Sequence, residues 1–415
     1  MGTSLKLRHR EAGRWLTRNR VIFPACIVLL VESFFLWVRV DGAYVRHMRS
    51  VAALGWDFAV FWSASFLSIH RGPASAFDWT LLGPIVLKLQ GLAFNDYPTE
   101  WVYPPTFLLM VWPLSLLPFV YAYVAFVLGG FALLGATCAR IAERRLPVAF
   151  WFAALAFPAV WIAGMAGQNS FLTAALIGLG LVSLDRRPVV AGICFGLLAM
   201  KPQLAMAIPV ALICGRRWHA LAAAAVTASL FCIVAGVMLG FDTYTAFVRS
   251  AGRFGAYLVD RAGTWPAGMP TVFGAARHAG FAPGYAYALH FTVAAIAIGA
   301  TAWLWLRPAR QTLQASALVI ASLLCPPYLL TYDLVWLALP FVYLWLDGQR
   351  HRWLVGDLLA LIAAWLSPIA FFLPLRLSNA VPVVLLAMLA VIVRRSVDTA
   401  LSPDATSDMH AVSRS

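Results

Sequence analysis

Long apolar blocks separated by short basic turns dominate the chain. Val21–Trp37, Leu221–Gly240, Thr292–Leu306 and Leu358–Leu373 each carry enough consecutive apolar residues to cross most of a bilayer, which takes ~20 residues in a helix. One such block can be a buried helix of a soluble protein, but a dozen in series leave lipid as the solvent. The pattern predicts an all-α, polytopic integral membrane protein with about 10–12 transmembrane helices. Blocks 105–117, 119–139, 148–163, 169–184 and 189–214 are shorter, and Pro113, Pro118, Pro158, Pro202 and Pro209 punctuate them. Half-length helices are tolerated in a membrane only where their ends are buried in protein or line a cavity. This region is therefore expected to wall an internal site. Blocks 284–306, 311–326, 329–346, 353–373 and 380–393 are expected to alternate as plain helices.

Composition agrees. Only 12% of the 415 residues are charged, half the ~25% that a soluble domain uses to cover its surface. The net charge of +14 does not imply a nucleic-acid partner. The basic residues form no single patch but sit between the blocks, at Arg140/Arg144/Arg145, Arg186/Arg187, Arg216/Arg217, Arg307/Arg310, Arg350/Arg352 and Arg394/Arg395. That is the distribution of the positive-inside rule. It predicts a multi-pass protein of the cell inner membrane with both termini cytoplasmic. Residues 1–20 form a basic arm, 21–393 one transmembrane domain, and 394–415 a polar tail expected to be disordered. Residues 41–103 and 241–281 are assigned to the external, periplasmic face. The pieces Phe58–Ile69 and Leu81–Leu92 of the first loop read as short interfacial helices.

Between residues 104 and 217 the parity has two solutions. If 105–117 and 119–139 both cross, the Arg140 and Arg186 clusters fall outside. If they make one crossing, 189–214 must be a hairpin around Lys201. The positive-inside rule favours the second.

Candidate chemistry lies in five places. Asp57 in GWDFAVFW follows the first span in an aromatic setting; burial there suits a general base, while its place ahead of a helix equally suits an N-cap. Tyr103-Pro104-Pro105 starts a helix, since Pro in the first turn has no donor to lose. Gln168 and Asn169 sit between two apolar blocks, where amides either bridge helices or face a cavity. Lys201, in AMKPQ, is too deep to snorkel; an intramembrane Lys suggests a functional site, and the competing reading is an ion pair with Glu32 or Asp333. Tyr328, Tyr332 and Asp333 stand at the external end of a late span, where an aromatic belt accounts for the tyrosines but not for Asp333. The six cysteines form no C-x-x-C pair, and no D-x-D-type acidic pair marks the first loop, so no cofactor is expected, with a divalent metal left open.

In this order the segments resemble glycosyltransferase family 87, whose members have the GT-C fold and include polyprenyl-phosphomannose-dependent mannosyltransferases. The carrying residues are Asp57-Phe58, Tyr103-Pro104-Pro105 with the following PLSLLP, Gly167-Gln168-Asn169, and Ala191-Gly192 leading to Lys201-Pro202; Trp265–Gly280 extends the likeness. The resemblance implies a membrane transferase that moves mannose or another sugar from a polyprenyl-phosphate-sugar donor to a lipid or glycan acceptor. It places the catalytic base at Asp57 and puts Gln168 and Lys201 near the donor phosphate. Asn169, Tyr103 and Arg71 join them as candidate substrate contacts, and Tyr328, Tyr332, Asp333 and Trp265 as a candidate second site. Relatives often carry histidines where this chain has Tyr328, Tyr332 and Asp333, which leaves a second catalytic group there open. The alternative function is a secondary transporter or lipid flippase with a midplane site around Lys201.

Overall fold

The computed structural model describes residues 18–93, 100–143, 146–261, 269–353, 356–372 and 377–400. Among them there is no strand. The chain runs through α1 (Arg18–Val40), α2 (Phe58–Arg71), α3 (Trp79–Gln90), α4 (Pro105–Val111), α5 (Phe119–Ala142), α6 (Val148–Leu155), α7 (Pro158–Ala166), α8 (Ser170–Ser183) and α9 (Pro188–Leu197). It continues through α10 (Ala207–Cys214), α11 (Trp218–Leu239), α12 (Asp242–Arg261), α13 (Val272–His278), α14 (Pro283–Trp305), α15 (Gln311–Leu324), α16 (Ala338–Arg350), α17 (Asp357–Leu366) and α18 (Val381–Ala400).

The apolar blocks resolve into two classes. Among the described residues, five helical stretches, Val21–Val45, Phe119–Ala142, Trp218–Leu239, Pro283–Trp305 and Leu377–Asp398, are long and apolar enough to span a membrane, and α6 with α7, bent by 52°, makes a sixth if the pair is one span. The long helices turn apolar side chains outward: Leu128 is 61% exposed and Val237 70%. Two of the shorter apolar helices, α8 and α15, are packed inside them. From Leu313 to Leu324, α15 is buried apart from one residue, and α8 is buried at most positions. A helix that is apolar all round and short is stable only when wrapped by other helices.

The parity of the middle region follows from how α9 meets α11. A Cβ on Gly192 would lie 2.5 Å from the Ala220 carbonyl oxygen, and one on Gly196 2.6 Å from that of Ala224. Contact positions rise together along the two helices, so α9 and α11 run parallel at backbone contact through a G-x-x-x-G face. Asp185, before α9, also pairs with Arg217, before α11, at 2.6 Å. The chain between them must go in and come back. Residues 188–214 form a re-entrant hairpin, with Lys201 between the 3₁₀ turns Leu198–Met200 and Pro202–Leu204 at its tip. Replacing Gly196 by Leu is expected to lower stability by about 1–3 kcal/mol, read as a lower Tm in detergent; an unchanged Tm would refute this close contact.

The late helices are not plain. After α15, which Cys325 ends in helical conformation, the chain leaves the helix through Pro326–Leu330, because Pro326 and Pro327 cannot donate to a helix, and it resumes as a 3₁₀ turn over Thr331–Leu337. Freed carbonyls find donors: His290 Nε2 lies 3.0 Å from the Cys325 oxygen, and Thr271 Oγ1 donates to the Pro327 oxygen at 3.0 Å. The two arms close again at their far ends, where Arg310 pairs with Asp347 at 2.7 Å. Asp347 also pairs with Arg395, which with Arg394 holds Asp357. Residues 394–400, expected to belong to the tail, are helical instead. The last helix continues to Ala400, since Arg395 is 3% exposed and locked into this charge cluster. Residues 401–415 and 1–17 lie outside the described residues.

The first loop does fold into helices, but α2 is sunk into the protein instead of lying along a surface. Phe58, Phe61, Ala64 and Leu67 on one side and Ser63, Ser65 and Ser68 on others are all buried. Among its contacts, Ser65 Oγ donates to the Trp112 carbonyl at 2.5 Å. The segment 241–281 supplies α12, an amphipathic helix whose stripe Phe247, Ala251, Phe254 and Leu258 faces a cavity.

Candidate active site

Four breaks in helical structure converge at one end of the bundle: the start of α2, the α7–α8 corner, the tip of the 188–214 hairpin, and the 325–333 bend. The first two are joined by backbone. The Gly55 amide donates to the Met165 carbonyl at 2.7 Å and the Asp57 amide to Ala166 at 3.0 Å. Gly167 makes the corner at φ +71°, and a Cβ there would come within 2.5 Å of the Phe58 Cβ. Only glycine fits that conformation and approach.

Asp57 occupies the N-cap position of α2 without capping it, as its carboxylate accepts no bond from the helix amides. Asp78, ahead of α3, shows what a cap looks like: its Oδ1 accepts from the Thr80 amide at 2.9 Å. The Asp57 carboxylate points elsewhere. Its Oδ2 accepts from Gln168 Nε2 at 3.0 Å, and the Gln168 Oε1 accepts in turn from the Tyr103 hydroxyl at 3.2 Å and the Asn169 amide at 3.0 Å. Among the described residues no donor meets Oδ1, so that oxygen is available to a substrate proton. Burial raises the Asp57 pKa to about 6; the Gln168 bond and the Lys201 charge restrain the rise, and the Asp333 charge adds to it. Burial likewise holds the Tyr103 pKa well above its ordinary value, with the Asp333 and Asp57 charges adding to the rise, so the phenol remains a donor.

Lys201 is paired with Asp333. The two are 4% and 3% exposed, and Nζ to Oδ1 is 2.5 Å. Of the two partners the sequence offered, the structure selects Asp333 and leaves Glu32 buried elsewhere. Ser170 Oγ also donates to Asp333 Oδ1 at 2.8 Å, and Asn169 Oδ1 accepts from Lys201 at 3.4 Å. Thr106 Oγ1 donates to the Ala199 carbonyl at 3.0 Å and so ties α4 to the broken hairpin tip. The ring of Tyr332 lies 5.4 Å from the ammonium.

These groups line a cavity of about 1290 Å³. Asp57, Tyr103, Gln168, Lys201, Tyr328, Tyr332 and Asp333 all face it. Tyr332 is buried and Tyr328 packs edge-on against Phe254 at 5.3 Å, so neither belongs to an aromatic belt. Asn169 reaches the site through Lys201. Arg71 does not: it is exposed at the far end of α2 and does not line this cavity. A helix of that length puts it ~20 Å from Asp57. Trp265 lies outside the described residues. Arg39 and Arg49 also face the cavity, as does the carboxylate of Glu100, and Ser170 completes the buried polar cluster; none of these was singled out from the sequence. The one signal available was an arginine interrupting the apolar run FFLWVRV. Two carboxylates, Asp57 and Asp333, stand near one another in the wall, but among the described residues no group of three or more His, Cys, Asp or Glu side chains gathers as a metal site.

A carboxylate with a raised pKa and one open oxygen, held by an amide relay in the wall of a large cavity, can take a proton from a bound hydroxyl. No curated protein and no solved structure matches the chain. A family model does, described as glycosyltransferase family 87, over residues 101–327. That match covers more than half of the chain and includes Tyr103, Gln168 and Lys201. The all-helical membrane architecture and this match together show that the chain belongs to glycosyltransferase family 87.

Proposed function

We propose that the protein transfers a sugar, mannose or another hexose or pentose, from a polyprenyl-phosphate-sugar donor to a lipid or glycan acceptor, with inversion. The observation that carries this reading is the open Oδ1 of Asp57 on a cavity large enough for two substrates. In the step, an acceptor hydroxyl oxygen forms the new bond to the anomeric carbon as the bond from that carbon to the phosphate oxygen breaks. The hydroxyl proton passes to Asp57, and the electron pair of the broken bond leaves with the polyprenyl phosphate. A phosphate leaves readily, so one base and one displacement suffice, unlike the two carboxylates of a glycosidase. Gln168, fixed at both ends of its amide, orients the base.

The positive-inside rule places the Arg310–Asp347–Arg395 end of the bundle in the cytoplasm, and with it both termini. The cavity, at the opposite ends of α8 and α15, then opens on the periplasmic face of the inner membrane. The transporter alternative rested on the broken helices and the intramembrane Lys201, whose charge is here taken up by Asp333.

The reading is tested by supplying the purified protein in nanodiscs with radiolabelled polyprenyl-phosphosugar and membrane lipid acceptors. Label is expected in an acceptor product with the anomeric configuration inverted; a product of retained configuration would exclude the single displacement. The pH profile tests the base. Asp57 works only when deprotonated, and its pKa is raised to about 6. The rate is therefore expected to be full above that pH and to fall tenfold per unit below it. An acid limb lying near the ordinary carboxylate range, about pH 4, would mean that another group sets the profile.

A further inference from the structure

The proposed chemistry leaves a charge to be held. The departing phosphate gains negative charge in a cavity whose wall already carries Asp57, Asp333 and Glu100. Such a step needs uncommitted cations aimed at the developing charge. Lys201 is committed to Asp333 at 2.5 Å. Arg253 faces Glu100 at 3.8 Å, and Arg46, near the end of α1, is spent on Asp41 at 2.5 Å.

Among the described residues, two cations on the cavity wall remain. The guanidinium of Arg39 lies 4.5 Å over the ring of Trp56, the residue before Asp57, and its NH1 donates to the Ala52 carbonyl at 2.8 Å. These two contacts fix the plane of the fork while the other N–H groups meet no acceptor among the described residues. The Arg49 side chain is exposed and has no hydrogen-bond or ion-pair partner among the described residues. Arg39 stands in the last two turns of the apolar stretch Val21–Val45 and Arg49 just beyond its end, and the end of a span is where a membrane lipid carries its phosphate. A planar, partly desolvated guanidinium suits bidentate contact with phosphate oxygens better than an ammonium does.

We infer that Arg39 and Arg49 form the phosphate subsite for the donor, a polyprenyl phosphate ester, at the lipid-facing mouth of the cavity. The inference rests on the proposed lipid-phosphosugar donor. Trp56 joins this subsite to the base: a phosphate on Arg39 would leave its sugar beside Asp57. Lys201 with Asp333 then organises the hairpin tip and the base, and does not grip the phosphate.

The test uses full-length protein in nanodiscs and two probes, sugar-free polyprenyl monophosphate for binding and the labelled polyprenyl-phosphosugar for turnover. Losing a hydrogen bond to a charged group is expected to weaken binding about tenfold to a hundredfold. Arg49→Gln, exposed and free of packing duties, should raise the donor KM and the polyprenyl phosphate Kd by about that factor, and Arg39→Gln likewise. Arg39→Lys, which keeps the charge but not the fork, should fall between wild type and Arg39→Gln. Unchanged Kd and KM in Arg49→Gln and in folded Arg39→Gln would overturn the subsite. So would equal competition by millimolar inorganic phosphate or by phosphatidylglycerol, because the site would then be a general anion patch. If the arginine variants lose polyprenyl phosphate while wild type transfers no sugar at all, the subsite stands and the transferase reading fails.

Discussion

Asp57→Asn is expected to reduce kcat by about 10²–10⁴-fold, the range that one positioned general base contributes, with little change in donor binding. The substitution preserves shape, and an amide can still meet Gln168 Nε2 through its own oxygen. What it removes is the capacity to accept the acceptor's proton. The fold is not expected to suffer, because Asp57 makes no cap to α2 and its backbone bond to Ala166 is untouched. That separates the catalytic reading from the capping one. A lost cap would cost about 1 kcal/mol of stability and leave turnover of the folded protein near normal. Thermal unfolding and single-turnover transfer, measured on the same nanodisc preparation, distinguish the two. Near-normal transfer by folded Asp57→Asn would remove Asp57 from the mechanism.

The contrast between Asp57 and Asp78 also shows where sequence reasoning stops. Both stand one residue ahead of a helix, and local pattern gives them the same two readings. The difference is tertiary: Gln168, 111 residues away, reaches Asp57, and nothing in the spacing of either segment announces that bond. Apolar periodicity and charge were enough to read the membrane class, the broken character of 104–217 and the burial of Lys201. They were not enough to find the break at 325–337, whose prolines resemble those of an ordinary helix start. They also made Arg71 a neighbour of Asp57 because both lie in one loop, whereas a rigid helix between them carries the arginine away. Arg39 went unread for the opposite reason. It sits inside an apolar run, where a single arginine looks like a snorkelling end-of-helix residue, and only the fold shows Trp56 beneath it. The hairpin at Lys201 was one of two parities open from charge, and the close Gly192–Ala220 and Gly196–Ala224 contacts decide between them.

Lys201→Met is expected to be the most destabilising single change at the site, and Asp333→Leu nearly as severe. Each leaves a charge that is less than a twentieth exposed without its partner, at a cost of about 3–5 kcal/mol. The double variant Lys201→Met/Asp333→Leu removes both charges together and is expected to recover most of that loss, because a buried ion pair adds little net stability over a well-packed apolar pair. Ser170 and Asn169 would lose acceptor and donor in the double variant, so recovery should be incomplete. Catalysis follows a different course. The Lys201 charge lowers the Asp57 pKa and the Asp333 charge raises it. Lys201→Met alone should therefore move the acid limb of the pH profile upward, and the double variant should bring it back toward wild type. Thermal unfolding of the four proteins gives the stability cycle, and transfer rates from about pH 4 to about pH 8, two units either side of the Asp57 pKa of about 6, give the catalytic one. If stability is additive across the cycle, the pair does not act as a unit. If the acid limb stays fixed in all four proteins, the charges at the hairpin tip do not reach the base.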